Sequence, residues 1–184
     1  MKTYQPLTLN DYVNNRGITY QNEYENGQLT IGGASLPAEL IMNVKNAAVE
    51  GIPFHFIYQD QGDNIELEGQ SIHLPTLEAE ALHVVGCSSN GNLYEEITLL
   101  REGNVVCESR LSLTDVIERE PAFNDRVAYA FDYIHTVAGI NHHLTSSLWL
   151  DSLTFSQKVV FDEIRFQDNP FMHIFAMTIQ QSGH

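Results

Sequence analysis

Short runs of Val, Ile, Leu, Phe, Tyr and Thr follow one another along the chain, cut roughly every 8 to 15 residues by turn-forming residues. The cuts fall at Asn26-Gly27, Gly32-Gly33, Gly51, Gly62-Asp63, Asn90-Gly91, Gly103-Asn104, Asn124-Asp125, Gly139 and Asp168-Asn169-Pro170. Many short strands at regular spacing predict a sandwich or a barrel. Successive strand side chains leave opposite faces, so alternation marks a half-buried strand. In 63–74, Ile65 and Leu67 share one face, and Glu66 and Glu68 the other. In 160–166, Ile164 and Phe166 oppose Glu163 and Arg165. The run 93–100 leads through Gly103-Asn104 into 105–113 and predicts a hairpin. The run 171–179 is apolar on both faces, as a central strand is.

Helix is scarce. Ser35 is placed to cap a short turn through Pro37, Ala38, Glu39 and Leu40, and 114–119 offers a second single turn. Neither is long enough for an α/β architecture. No repeat, low-complexity tract or Pro/Ser-rich linker divides the sequence, so residues 1–184 read as one domain. The expected fold is all-β: a two-sheet antiparallel jelly-roll sandwich with one or two short helical turns.

Composition agrees with a packed fold: 184 residues, 43% hydrophobic and 18% charged. The formal charge of −15, from 24 acidic and 9 basic residues, repels phosphate backbones and speaks against nucleic-acid or anionic-membrane partners. The same acids leave room for a Ca²⁺ ion, although no EF-hand loop is present and no cofactor is expected. The first residues lack an apolar core and a cleavage site, and no apolar stretch is long enough to span a bilayer. The expected location is the cytoplasm, with Cys87 and Cys107 as reduced thiols in strands.

Enzyme signatures are absent: no G-x-S-x-G elbow, no phosphate-binding loop, no H-E-x-x-H and no C-x-x-C. No catalytic residue is assigned, which leans against an enzyme. His55, His73, His83, His135 and His173 lie in strand-like runs without the spacing of a sheet metal site. Along 126–135, Tyr129, Phe131, Tyr133 and His135 share one face, with polar tips suited to a sugar as well as to a core. Trp149 shares a face with Thr145, Ser147 and Asp151, and is either covered by a loop or exposed for stacking.

Three segments come in a familiar order: Asn14-Asn15-Arg16-Gly17-Ile18-Thr19, then Ser35-Leu36-Pro37-Ala38-Glu39-Leu40, then Gly51-Ile52-Pro53-Phe54. Val85-Gly86-Cys87-Ser88-Ser89-Asn90-Gly91 and the closing stretch from Ile164 to Thr178, with Asn169, His173-Ile174-Phe175-Ala176 and Thr178, extend the match. Together they resemble the galactose-binding-like β-sandwich modules that accompany bacterial glycoside hydrolases. The resemblance implies that fold, and a non-catalytic, lectin-like module that binds carbohydrate. The expected ligand residues are Trp149, Tyr133 and His135, with Asn90, Asn92 and Tyr94 from one loop and His142 and His143 from another. Two other readings stand beside it: a homodimeric interaction or assembly subunit with Trp149 in the interface, and a small enzyme acting on a sugar or related metabolite.

Overall fold

The computed structural model describes residues 2–41 and 47–183. Its strands are β1 (Lys2–Pro6), β2 (Ile18–Thr19), β3 (Leu36–Pro37), β4 (Ala48–Val49), β5 (Ile52–Pro53), β6 (Ile65–Glu68) and β7 (Ser71–Ser88). They continue with β8 (Leu93–Arg101), β9 (Asn104–Leu113), β10 (Arg126–Phe131), β11 (Ile134–Thr136), β12 (Gly139–Asn141), β13 (Ser146–Arg165) and β14 (Asp168–Ser182). One short helix, α1 (Ala38–Ile41), and two 3₁₀ turns complete the described residues. The fold is the expected all-β sandwich.

The main sheet has the order β1-β14-β7-β13-β8-β9, with β10 added to β13 and β6 to β14. Every pairing in it is antiparallel. Strands β7, β13 and β14 are far longer than the sequence punctuation suggests, because bulges bend them without ending them. Strand β13 shifts register between Thr154 and Val159: before the shift it lies between β7 and β10, and at its far end it also meets β8. The hydrogen bonds of the main sheet are therefore continuous through β13.

Turn chemistry fixes the hairpins. Arg101 pairs with Asn104 across Glu102 and Gly103, whose φ angles of 51° and 77° suit the tight turn that twists with its strands. Glu50 and Gly51, at 51° and 80°, do the same between β4 and β5. The run 63–74 is not one strand: it breaks at Gly69 (φ 75°) into β6 and β7, with Ile65 and Leu67 both buried. The 114–119 segment forms a turn closed by Glu118 N–H donating to the Asp115 carbonyl, not a helix. Helix α1 forms where expected, but the Ser35 hydroxyl does not cap it; it lies 2.6 Å from Thr19 Oγ1.

One apolar cluster runs from Leu7 to Ile179, and residues 172–179 of β14 are buried on both faces. Phe161 and Ile164 join it from the far end of β13, and Phe166 from just beyond that strand. Cys87 is buried and Cys107 half-buried, both free thiols.

The Asn15–Ile18 turn is held from below by a buried carboxylate. Asp63 accepts hydrogen bonds from Gly17 N–H (2.9 Å), Ile18 N–H (3.0 Å) and Asn64 Nδ2 (2.8 Å). Asn64 also donates to Asn15 Oδ1 and, through its own Oδ1, lies 3.2 Å from His173 Nδ1. A Cβ on residue 17 would stand 2.7 Å from Asn64 Nδ2 and 2.8 Å from the Phe175 ring, which explains the glycine. Burial pushes Asp63 up to about 7 against the pull of its three donors, and burial pushes His173 down to about 4.

Candidate functional site

At the start of β10 the sheet leaves a gap. Arg126 is the first residue of β10 and pairs with Leu150, so this edge of β13 has no strand partner from Asp151 until β8 joins it at Glu163. An open cleft of about 530 Å³ wraps this edge, lined by Arg110, Ser112, Phe123, Asn124, Asp151 and Ser152, with Ala122 and Leu153. Side chains alternate along β13, so the cleft takes Asp151 and Leu153 from one face and Ser152 from the other.

Local hydrogen bonds hold each wall in place. Asp125, itself buried, accepts from Thr114 N–H (2.7 Å), Thr114 Oγ1 (2.9 Å) and Phe123 N–H (3.3 Å), and Thr114 Oγ1 accepts from Ala122 N–H (2.8 Å). This clamp fixes the 122–124 wall and presents the half-buried Phe123 ring and the exposed Asn124. Across the cleft, the Arg110 guanidinium lies 3.6 Å from the Tyr94 ring centre and 5.8 Å from that of Phe123. At the floor, Asp151 accepts from Ser112 N–H and Ser152 N–H, each at 2.8 Å, which satisfies the free strand edge from within. Burial raises the Asp151 carboxyl above the usual range, while those two N–H groups pull it down.

Behind Ser152 a relay of polar side chains crosses the sheet. Ser152 is the register partner of His83 on β7, and its Oγ lies 2.8 Å from His83 Nδ1. His83 Nε2 lies 3.3 Å from Gln180 Oε1, the Gln180 amide nitrogen being turned toward Glu80. An amide oxygen only accepts, so Nε2 carries the proton and Nδ1 accepts from the Ser152 hydroxyl. Arg126 Nη2 donates to the same Oγ at 3.0 Å and is itself paired with Glu50 from the β4–β5 turn. Burial pushes His83 below its ordinary value, against the pull of Gln180. The imidazole is thus buried, pushed toward its neutral form, and in contact with the hydroxyl of a residue that lines the cleft.

The residues expected from the sequence separate into three places. Trp149 is core: fully buried, register partner of Gly86, with its indole N–H donating 3.1 Å to the Asp115 carbonyl. It is not open for stacking, because the turn at Asp115 covers it. Tyr133, His135 and His142 do come together around the β11–β12 hairpin, with ring centres 5.7 and 5.3 Å apart along Tyr133–His135 and Tyr133–His142. Of these His135 is sealed in: its Nδ1 meets Thr19 Oγ1 at 3.0 Å and its backbone pairs with Ser35. His142 and His143 are exposed. In the third place, Asn92 Oδ1 accepts from Asp115 N–H, Asn90 turns the chain with φ 66°, and exposed Tyr94 carries Arg110 toward the cleft. Only Tyr94 therefore borders the cleft. The residues that line it went unmarked, because Ser152 and His83 stand 69 positions apart and meet only through strand register.

Among the described residues no group of three His, Cys, Asp or Glu side chains is arranged to hold a metal ion, and no helix is long and apolar enough to cross a membrane. A comparison with curated proteins finds no match. The model of one protein family, described as the AziU2-like beta-sandwich domain, matches residues 3–183, so the chain belongs to that family.

Proposed function

We propose that this chain is a carbohydrate-binding, lectin-like β-sandwich of the galactose-binding-like kind, with its site in the cleft at the free edge of β13. One observation carries the reading: a single opening brings together the Phe123 ring, the Arg110 guanidinium, the Asn124 amide, the Asp151 carboxylate and the hydroxyls of Ser112 and Ser152. A sugar presents flat C–H faces to an aromatic ring and hydroxyls to planar polar groups. An open, polar cleft with one ring binds weakly, roughly in the micromolar to millimolar range.

The test is a glycan array with the full chain, repeated with Phe123→Ala and with EDTA. A signal lost in Phe123→Ala while the melting temperature holds supports the reading. A silent array, or a signal indifferent to the substitution, overturns it. The EDTA arm decides whether Ca²⁺ takes part.

A second reading, self-association, is favoured by the outer strand β9, where Val105 and Val106 are 56% and 43% exposed. Natural edge strands blunt such positions with charge. Light scattering of the wild type against Val105→Lys measures it: a dimer turned monomer supports this reading, and a wild-type monomer removes it.

A further inference from the structure

The Ser152–His83–Gln180 relay is more than the binding reading needs. A sugar hydroxyl needs only a serine that can donate or accept one hydrogen bond. Here the Ser152 hydroxyl is already directed into an imidazole at 2.8 Å, and a guanidinium donates to its oxygen at 3.0 Å. A nucleophile, a base within hydrogen-bond reach and a third group orienting that base are the parts of nucleophilic catalysis. We propose that Ser152 is a nucleophile activated by His83 and that the cleft hydrolyses small carboxylic esters. An O-acylated sugar is the ester the cleft would take if it binds carbohydrate, but the proposal stands without a sugar.

The chemistry balances with water as the only co-reactant. Ser152 Oγ bonds to the ester carbonyl carbon as its proton passes to His83 Nδ1. The carbonyl oxygen gains negative charge, which the Arg126 guanidinium, already donating to Oγ, would offset. The acyl C–O bond then breaks and the alcohol leaves with the proton from Nδ1. Water attacks the acyl-serine, giving one proton to Nδ1, which returns it to Oγ as the carboxylic acid departs. Gln180 is a positioning residue: its Oε1 holds the Nε2–H tautomer that leaves Nδ1 free to accept.

The groups facing His83 come from four strands: Ser152 from β13, Gln180 from β14, Arg126 from β10, and Lys2 with the Tyr4 ring from β1. Both cations disfavour the imidazolium, and burial does so more strongly. The base form is therefore kept down to pH values below the ordinary histidine range.

An alkyl fluorophosphonate incubated with the full chain tests the proposal, because Ser Oγ displaces fluoride and leaves a stable adduct that peptide mass spectrometry locates. The expected adduct sits on Ser152, is absent in Ser152→Ala, and forms about 100-fold more slowly in His83→Gln. Its rate should rise with pH through a midpoint below the ordinary histidine value. Gln180→Glu should move that midpoint upward, since a carboxylate on Nε2 favours the imidazolium, a shift that a packing role would not produce. No adduct on Ser152, under conditions that label an ordinary serine esterase, overturns the proposal. So does labelling with a pH midpoint that ignores Gln180→Glu, and this second variant covers the case in which His83→Gln fails to fold. The probe carries no sugar, so a silent glycan array and an absent adduct condemn different claims.

Discussion

Two buried histidines sit on neighbouring strands, and their surroundings differ in kind. His173 on β14 faces Asn64, which joins Asp63 and Asn15, all of them buried; Asp63 accepts from the backbone N–H groups of Gly17 and Ile18, and Asn15 Nδ2 donates to the half-buried Glu66 carboxylate. His83 on β7 faces Ser152, and beyond it Arg126, whose side chain is 47% exposed. Burial lowers both imidazoles, so depressed basicity alone does not separate them. What separates them is where the hydrogen bonds lead. The first network is spent mainly on backbone and buried amide groups of the fold, with His173 Nε2 left buried and unpaired, and so it serves as scaffold. A network that opens through a hydroxyl onto a cleft has a group left to offer a ligand.

That contrast predicts large stability costs at the closed end and small ones at the open end. Trp149→Ala should cost most, about 3–5 kcal/mol, by emptying a fully buried site and orphaning the Asp115 carbonyl. A urea denaturation midpoint reads this directly, and a near-neutral result would return Trp149 to the candidates for ligand stacking. Asp63→Ala should follow at about 2–4 kcal/mol, since the Gly17, Ile18 and Asn64 N–H donors lose their acceptor in a buried place.

The third prediction uses pH. Asp63 is raised from 3.8 to about 7, so its contribution is full below its unfolded value and is lost as pH rises through about 7. His173 is lowered from 6.5 to about 4, so its contribution is full above its unfolded value and is lost as pH falls through about 4. Between these limits the two slopes oppose each other. His173→Gln should leave only the first, so that stability falls steadily with rising pH from about 4 to about 7. A flat profile in that variant would contradict the assignment of opposed slopes. The smallest effect belongs to the open end: Arg126→Gln breaks an ion pair with both partners about half exposed, and should change stability by less than about 0.5 kcal/mol.

The sequence marked the frame more clearly than the cleft, for physical reasons. Local patterns announce themselves: the hairpin of β8 and β9 follows from a two-residue turn with a glycine, and the core strand 171–179 from apolar residues on both faces. The Asn15–Ile18 motif was visible as a motif, but its cause, Asp63, lies in a later turn. Trp149 misled because its neighbours Ser147 and Asp151 look solvated. The turn at 115–118 covers that face instead, taking hydrogen bonds from the Trp149 indole and from Ser147. The cleft was hidden for a different reason. It is built where β10 begins beside a longer strand, and a missing neighbour has no signature in the residues of β13 itself. Ser112, Phe123, Asn124 and Ser152 are ordinary residues until register assembles them.

The central claim is that the cleft at the edge of β13, and not the Tyr133–His142 cluster or Trp149, is where the protein meets small molecules. The most direct measurement is a ¹H–¹⁵N NMR titration of the full chain with D-galactose. The account predicts shifts confined to the amides of residues 110–112, 122–124 and 151–153. Shifts centred on residues 133–143, or none up to saturating sugar, would contradict it.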